Sequence, residues 1–308
     1  MITIIQNMLP VLMAGGGGWL LGRSQKPDLR TLGTVVVYTI VPLVNFDAVL
    51  KAPAEASIIV LPIMAFIIGS CNSWLAYYCS RRILQSDEQV LLTASSASSA
   101  NTLYYGLGLA LALLPSAVIP AFLLAATGFS LSEAIFGYYF LARTNFTWRM
   151  AVGRVLRLPM PYAVLIGILC RNLISTTELQ IIITPLISYS RGALILLGSM
   201  ILGIAIAQEQ RFQIAPRLVT AVLFCRHITF ALVTLLFLSL DAICFHLINP
   251  SYYPLFMLFA AMPIANNTLT FAALLGLPTA LISSTIIISN CVALLLAACI
   301  YSFYGING

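Results

Sequence analysis

Charge is scarce in this chain. Of its 308 residues only 8% are Asp, Glu, Lys or Arg, while 61% are hydrophobic. A soluble domain of this size carries about 25% charged residues. Too little polar surface is present to cover a water-soluble globule, so the composition predicts an integral membrane protein. No loop is long enough to form a soluble domain, and no glycine loop has phosphate-binding form. The seven cysteines (Cys71, Cys79, Cys170, Cys225, Cys244, Cys291, Cys299) stand singly, without a CxxC. That pattern argues against disulfide or metal chemistry and reads as small buried hydrophobes. No cleavable signal peptide is expected, because MITIIQNMLP lacks a basic start and leads directly to Arg23. There is no GxSxG, no HExxH and no pair of intramembrane aspartates. An enzyme is not expected, and neither is a metal or cofactor.

Long apolar runs are what the chain has in abundance. A spanning helix needs ~20 mostly apolar residues. Ten candidate spans follow, at 3–22, 32–50, 57–80, 90–113, 117–142, 155–174, 181–206, 220–245, 254–276 and 279–302. Alternating strand patterning is absent, which argues against a barrel. Residues 214–248 are too long for one span. The piece before Arg226 is therefore expected to be partly interfacial, with Arg226 and His227 at the cytoplasmic start of the eighth span.

The net charge of +6 is distributed as a topology signal, not as a nucleic-acid surface. With ten spans, eleven of the fifteen Lys and Arg fall on one side, including Arg81, Arg82, Arg143, Arg149, Arg154 and Arg157. Lys51 and Arg171 fall on the other. The basic side is normally cytoplasmic, so both termini are expected on the non-cytoplasmic side of a plasma membrane (the inner membrane in a bacterium). The expected partners are the lipid bilayer and a small substrate, with no nucleic acid; a homodimer is left open.

The halves resemble each other. Leu9-Pro10 opens the first span, with Gly18 eight residues after the proline; Leu158-Pro159 opens the sixth, with Gly167 eight after. Two copies of five spans must insert in opposite orientations, which is an inverted repeat of the kind common in secondary transporters. The expected fold is an all-α polytopic membrane protein of ten transmembrane helices. Residues 1–142 form the first five-helix repeat, 143–154 a cytoplasmic linker and 155–308 the second repeat.

The fourth and ninth spans then correspond, and both are interrupted. The fourth carries Asn101 and Thr102 with Tyr105, Gly106 and Gly108; the ninth carries Pro263, Asn266 and Asn267. Irregular backbone at membrane depth survives only where it lines a cavity or is buried in protein. Paired interruptions point to a transporter's central site. Ser95, Ser96, Ser98 and Ser99, and the run Gly15–Gly18, read as close-packing residues. Asn101 and Asn266 read as binding residues, because an amide needs partners for two donors and an acceptor.

These segments carry a resemblance. "LPVLMAGGGGWLLGRSQ", "YTIVPLVNFDAVLKAP", "ANTLYYGLGLALAL", "LRLPMPYAVLIGIL" and "AMPIANN" look like the first, second, fourth, sixth and ninth spans of one family. The chain resembles the auxin efflux carrier family, whose fold is shared with bile acid/sodium symporters. The family usually has proline where Gly108 stands and glycine where Leu103 stands. The resemblance implies broken helices 4 and 9 that cross near the midplane. It implies scaffold helices 1, 2, 6 and 7, core helices 3–5 and 8–10, elevator-type alternating access and organic anion substrates, malonate-like or auxin-like. Asn101 and Asn266 would sit at the crossing.

An uncharged site of this kind suits an anion. A helix that starts at mid-membrane exposes unpaired N–H groups and a positive dipole end. Asn101, Thr102, Asn266 and Asn267 add donors, and Tyr104 and Tyr105 favour a larger apolar anion. Glu133, inside the fifth span, is either a coupling residue for a proton or cation or a structural carboxyl. Asp47 is expected at the interface, Arg191 to snorkel outward, and His246 near an outer span end. Two other readings stay open: a sodium-coupled symporter of bile-acid-symporter type, and a non-transporting sensor on the same fold. No Asp or Glu follows Asp241, which argues against the two-sodium arrangement of those symporters.

Overall fold

The computed structural model describes residues 2–52, 56–98, 100–173, 176–209 and 214–306. Ser99 and the Tyr104 side chain lie outside what is described, so the roles expected of them are not addressed. The described residues are helical throughout, with no strand. In chain order the helices are α1 (Ile2–Ser24), α2 (Leu29–Leu50), α3 (Ala56–Ser80), α4 (Asp87–Ser96), α5 (102–113) and α6 (Ser116–Asn145). There follow α7 (Trp148–Val155), α8 (Pro159–Leu173), α9 (Thr176–Gln208), α10 (Pro216–Phe245), α11 (Tyr253–Ala261), α12 (Asn267–Leu275) and α13 (Ala280–Ile306).

Six stretches among the described residues are long and apolar enough to cross a membrane. They lie in α2, α3, α6, α9, α10 and α13, and α7 with α8, bent by 42°, adds a seventh if taken as one span. The chain is a polytopic helical membrane protein. At 1.5 Å per residue, a stretch of 22 residues reaches ~33 Å, enough for the hydrocarbon core.

Helix ends follow the local sequence. Asp28 starts α2 by accepting the N–H groups of Arg30 and Thr31. Ser86 caps the start of α4. Gly276, at φ +70°, ends α12 in the left-handed conformation that glycine tolerates best. His246 ends α10 at φ +51°, and the buried Asp241 carboxylate accepts the N–H groups of Leu247 and Ile248 just beyond it.

Packing is close where small residues allow it. Gly18 lies against the Met200 backbone and Gly203 against the Gly15 carbonyl, so α1 and α9 meet backbone to backbone. In lipid, where burial from water cannot drive association, such van der Waals contact holds helices together. The packing role expected of the glycine run belongs to Gly18, whereas nothing lies within 4 Å of a Cβ built on Gly16 or Gly17. A phenylalanine cluster ties α11 to α6 and α10: Phe259 stacks on Phe122 at 4.9 Å and meets Phe129 at 4.7 Å, and Phe129 meets Phe230 at 5.4 Å.

Two charge placements differ from expectation. Arg226 and His227 do not mark the start of a span. They lie ten residues inside the continuous α10, and Arg226 is fully buried, because both side chains bond to carbonyls of α11. Asp47, near the end of α2, has partners that the sequence did not reveal. It is fully buried and held by Lys51 at 2.8 Å and by Arg191, whose own side chain is half exposed.

Candidate functional site

Two irregular segments interrupt the helices, one between α4 and α5, including 97–98 and 100–101, and one at 262–266 between α11 and α12. The last carbonyls of a helix have no partner within it. Inside a membrane protein they must find partners in the protein. At the end of α4, Ser73 donates to the Ala94 carbonyl at 2.7 Å and Asn72 to the Ala97 carbonyl at 2.9 Å. Ser98 donates back to Ser95 at 2.6 Å. At the end of α11, Arg226 donates to the Phe259 carbonyl, and His227 Nδ1 lies 2.9 Å from the Ala260 carbonyl. The Ile264 N–H, in the gap itself, donates to Ser289 Oγ at 3.0 Å.

The two gaps touch. The Asn101 N–H donates to the Pro263 carbonyl at 2.9 Å. The Asn101 side-chain amide approaches Asn266 Oδ1 to 3.4 Å. Gly106 lies against the Met262 sulfur, so a side chain there would require the Met262 side chain to move. Asn267 donates to Glu133 Oε2 at 3.1 Å, which brings the expected coupling residue to the second gap. Asn101, Thr102, Tyr105, Asn266 and Glu133 are all buried.

A cavity of about 320 Å³ opens beside this contact. Its polar lining is Asn101, Tyr105, Ser199, Asn266 and Asn290. Its apolar lining comes from α1, α9 and α13, including Leu12, Gly16, Trp19, Leu202 and Leu294. No charged side chain lines it. Three of these lining residues each hold a buried polar atom with no hydrogen-bond partner among the described residues: Asn101 Oδ1, the Tyr105 hydroxyl and Ser199 Oγ. A buried polar atom left unmet costs about 1–3 kcal/mol. Three such atoms around one cavity are groups that a ligand or water reaching them would satisfy. The cavity thus combines hydrogen-bonding groups at one end with apolar surface elsewhere, the usual make-up of a small-molecule site.

Of the residues expected at the site, Asn101, Tyr105 and Asn266 line the cavity. Thr102, Gly106, Gly108, Pro263, Asn267 and Glu133 do not. Gly106 lies against Met262 and the Pro263 carbonyl accepts from Asn101, so both join the gaps, while Asn267 bonds to Glu133. Gly108, read as a helix breaker, lies within the regular part of α5, because the interruption falls before Thr102. Sequence reasoning missed Ser199 and Asn290, and the capping pairs Asn72-Ser73 and Arg226-His227. Asn290 had a signal: it is the one amide in the described apolar helix α13. Ser199 had none that separates it from packing serines.

No protein-family model matches the chain, and no curated protein matches it. No group of three or more His, Cys, Asp or Glu able to hold a metal occurs among the described residues.

Proposed function

We propose that the chain is a secondary transporter of organic anions, carboxylates of malonate-like or auxin-like form, that binds its substrate in the cavity where the gaps meet. In this reading ten spans form two inverted repeats, with α4 and α5 as the fourth span and α11 and α12 as the ninth. Both termini lie on the non-cytoplasmic side. The core of spans 3–5 and 8–10 moves against a scaffold of spans 1, 2, 6 and 7, as in the auxin efflux carrier family that the sequence resembles. Glu133, bonded to Asn267 beside the site, couples the movement to protons.

One observation carries the reading: the contact of Asn101 with Pro263 and Asn266, beside a cavity with three unmet polar atoms. Supporting it, α5 and α12 both begin at the gaps, and helix starts present N–H groups and a positive dipole end to an anion.

The test is uptake of organic anions into proteoliposomes under imposed pH, sodium or voltage gradients, comparing the native chain with Asn101→Ala. Saturable uptake that Asn101→Ala abolishes, with the variant folded, is the expected result. Full uptake in that variant removes the site from the gaps. No uptake by the folded native chain under any gradient overturns the transporter reading.

A further inference from the structure

The helix ends at the two gaps are capped alike by different chemistry. Asn72 and Ser73, consecutive in α3, serve the end of α4; Arg226 and His227, consecutive in α10, serve the end of α11. Neutral groups suffice at the first end, so capping alone does not call for a cation at the second. Yet Arg226 is the only buried Lys or Arg among the described residues, and it is 0% exposed. Among those residues no carboxylate lies within 4.0 Å of it. Its Nε and Nη1 have no hydrogen-bond partner. Its guanidinium carbon lies 4.3 Å from the centre of the Phe230 ring, which offers only a π face. The buried acids are engaged elsewhere. Asp47 holds Lys51 and Arg191, Asp241 holds the Leu247 and Ile248 N–H groups and the Tyr253 hydroxyl, and Glu133 accepts from Asn267. A charge buried without a counter-charge is strongly unfavourable, and in a membrane protein it marks function.

We propose that Arg226 is the fixed counter-charge for the anion bound at the gaps, and that it sets the carrier's preference for ligand valence. This rests on the transporter reading above. The geometry allows it. Arg226 is bonded at Phe259, and Pro263, which touches Asn101, is only four residues further on, at most ~14 Å away along an extended chain. At a separation of ~12–17 Å between the guanidinium and the ligand's charge, with an effective dielectric constant of about 20, a unit charge changes affinity roughly five- to tenfold per negative charge on the ligand. Arg226 does not touch the ligand. It acts through the interior, while the cavity's own lining supplies the hydrogen bonds.

The experiment measures binding of two probe pairs to the purified full chain in nanodiscs: propanoate with malonate, and phenylacetate with phenylmalonate. Each pair differs by one carboxylate. The readout is the ratio of the two dissociation constants within a pair. Arg226→Gln removes the charge and leaves a shorter polar amide in its place. It is expected to shift the ratio against the dianion by roughly five- to tenfold, while Arg226→Lys keeps the native ratio. A purely structural Arg226 would weaken both members equally, so an unchanged ratio in Arg226→Gln overturns the proposal. Where Arg226→Gln does not fold, Phe230→Glu sets a carboxylate against the guanidinium and must shift the ratio the same way; an unchanged ratio there also overturns it. Native protein that binds no member of either pair, and takes up no anion, fails the transporter reading itself, and the counter-charge falls with it.

Discussion

The gap between α4 and α5 and the gap between α11 and α12 share a design and differ in charge. Each follows a helix end whose carbonyls are met by two neighbouring side chains of another helix. Each contributes an asparagine to the contact between them. The first is held by neutral groups, and its Asn101, which lines the cavity, keeps a buried acceptor without a partner. The second gathers the ionisable groups: Arg226 and His227 on the cap, and Glu133 on Asn267. The difference suggests a division of labour, with hydrogen-bond recognition at the first gap and charge control at the second. Asn72 links the two. Besides capping α4 it donates to the Cys225 carbonyl at 3.1 Å and accepts from Thr229 at 2.7 Å, both in α10. Helices α3 and α10 are thus bonded beside both caps, so the two helix ends should move as one body.

The largest effect separating the gaps is expected from Glu133→Gln. The amide oxygen can still accept from Asn267, so the gap geometry survives. The group can no longer exchange a proton. Uptake driven by an imposed pH gradient should be abolished, and exchange of substrate across the membrane without a gradient should persist. A variant that responds to the pH gradient as the native chain does would remove Glu133 from coupling and leave it a structural carboxyl.

Next comes the neutral cap. Asn72→Ala removes donors from two buried carbonyls and the acceptor of Thr229. One carbonyl left unmet in the interior costs about 1–3 kcal/mol. Thermal unfolding of the detergent-solubilised chain should begin several degrees lower, and Arg226→Gln, whose shorter amide no longer reaches the Phe259 carbonyl, should lower it by a similar amount. If Asn72→Ala unfolds with the native chain, the two caps are not equivalent devices.

Much of the membrane architecture was legible from hydropathy, because long apolar stretches with few charges have few alternatives. The gaps were legible too, since Asn101, Pro263 and Asn266 are polar or helix-weakening residues in apolar runs. Their partners were not. Whether Arg226 ends a span or lies inside one cannot be read from a run in which it is the only basic residue between Arg217 and the end of α10. Only the position of the Phe259 carbonyl decides it. The Asp47 partner Arg191 was hidden for the same reason: it is 144 residues away in sequence. Gly108 shows the opposite error. Glycine permits a break without requiring one, and the helix breaks earlier, where Asn101 bonds across to Pro263. Gly16 and Gly18 read identically in sequence. They separate only when α9 is in place, one against the Met200 backbone and the other open to the cavity.

The smallest effect tests whether caps matter more inside the membrane protein than in water. Asp28 caps α2 at an exposed position, accepting the N–H groups of Arg30 at 3.2 Å and Thr31 at 2.9 Å. The Thr31 hydroxyl first, and then the Thr31 N–H, hold its carboxyl below the ordinary value of 3.8. Because the folded-state value is the lower one, the cap's stabilisation is fully present above the unfolded value and is lost as pH falls through the folded one. Asp28→Ala should therefore lower the unfolding temperature slightly at pH 7, less than Asn72→Ala does, because water can replace the lost partner. The gap between Asp28→Ala and the native chain should narrow only once the pH drops below about 4. An undiminished difference at still lower pH would mean that the Asp28 carboxylate is not what caps α2. A loss as large as that of Asn72→Ala would mean that burial does not set the worth of these caps, and the contrast between the neutral and the charged gap would lose its energetic basis.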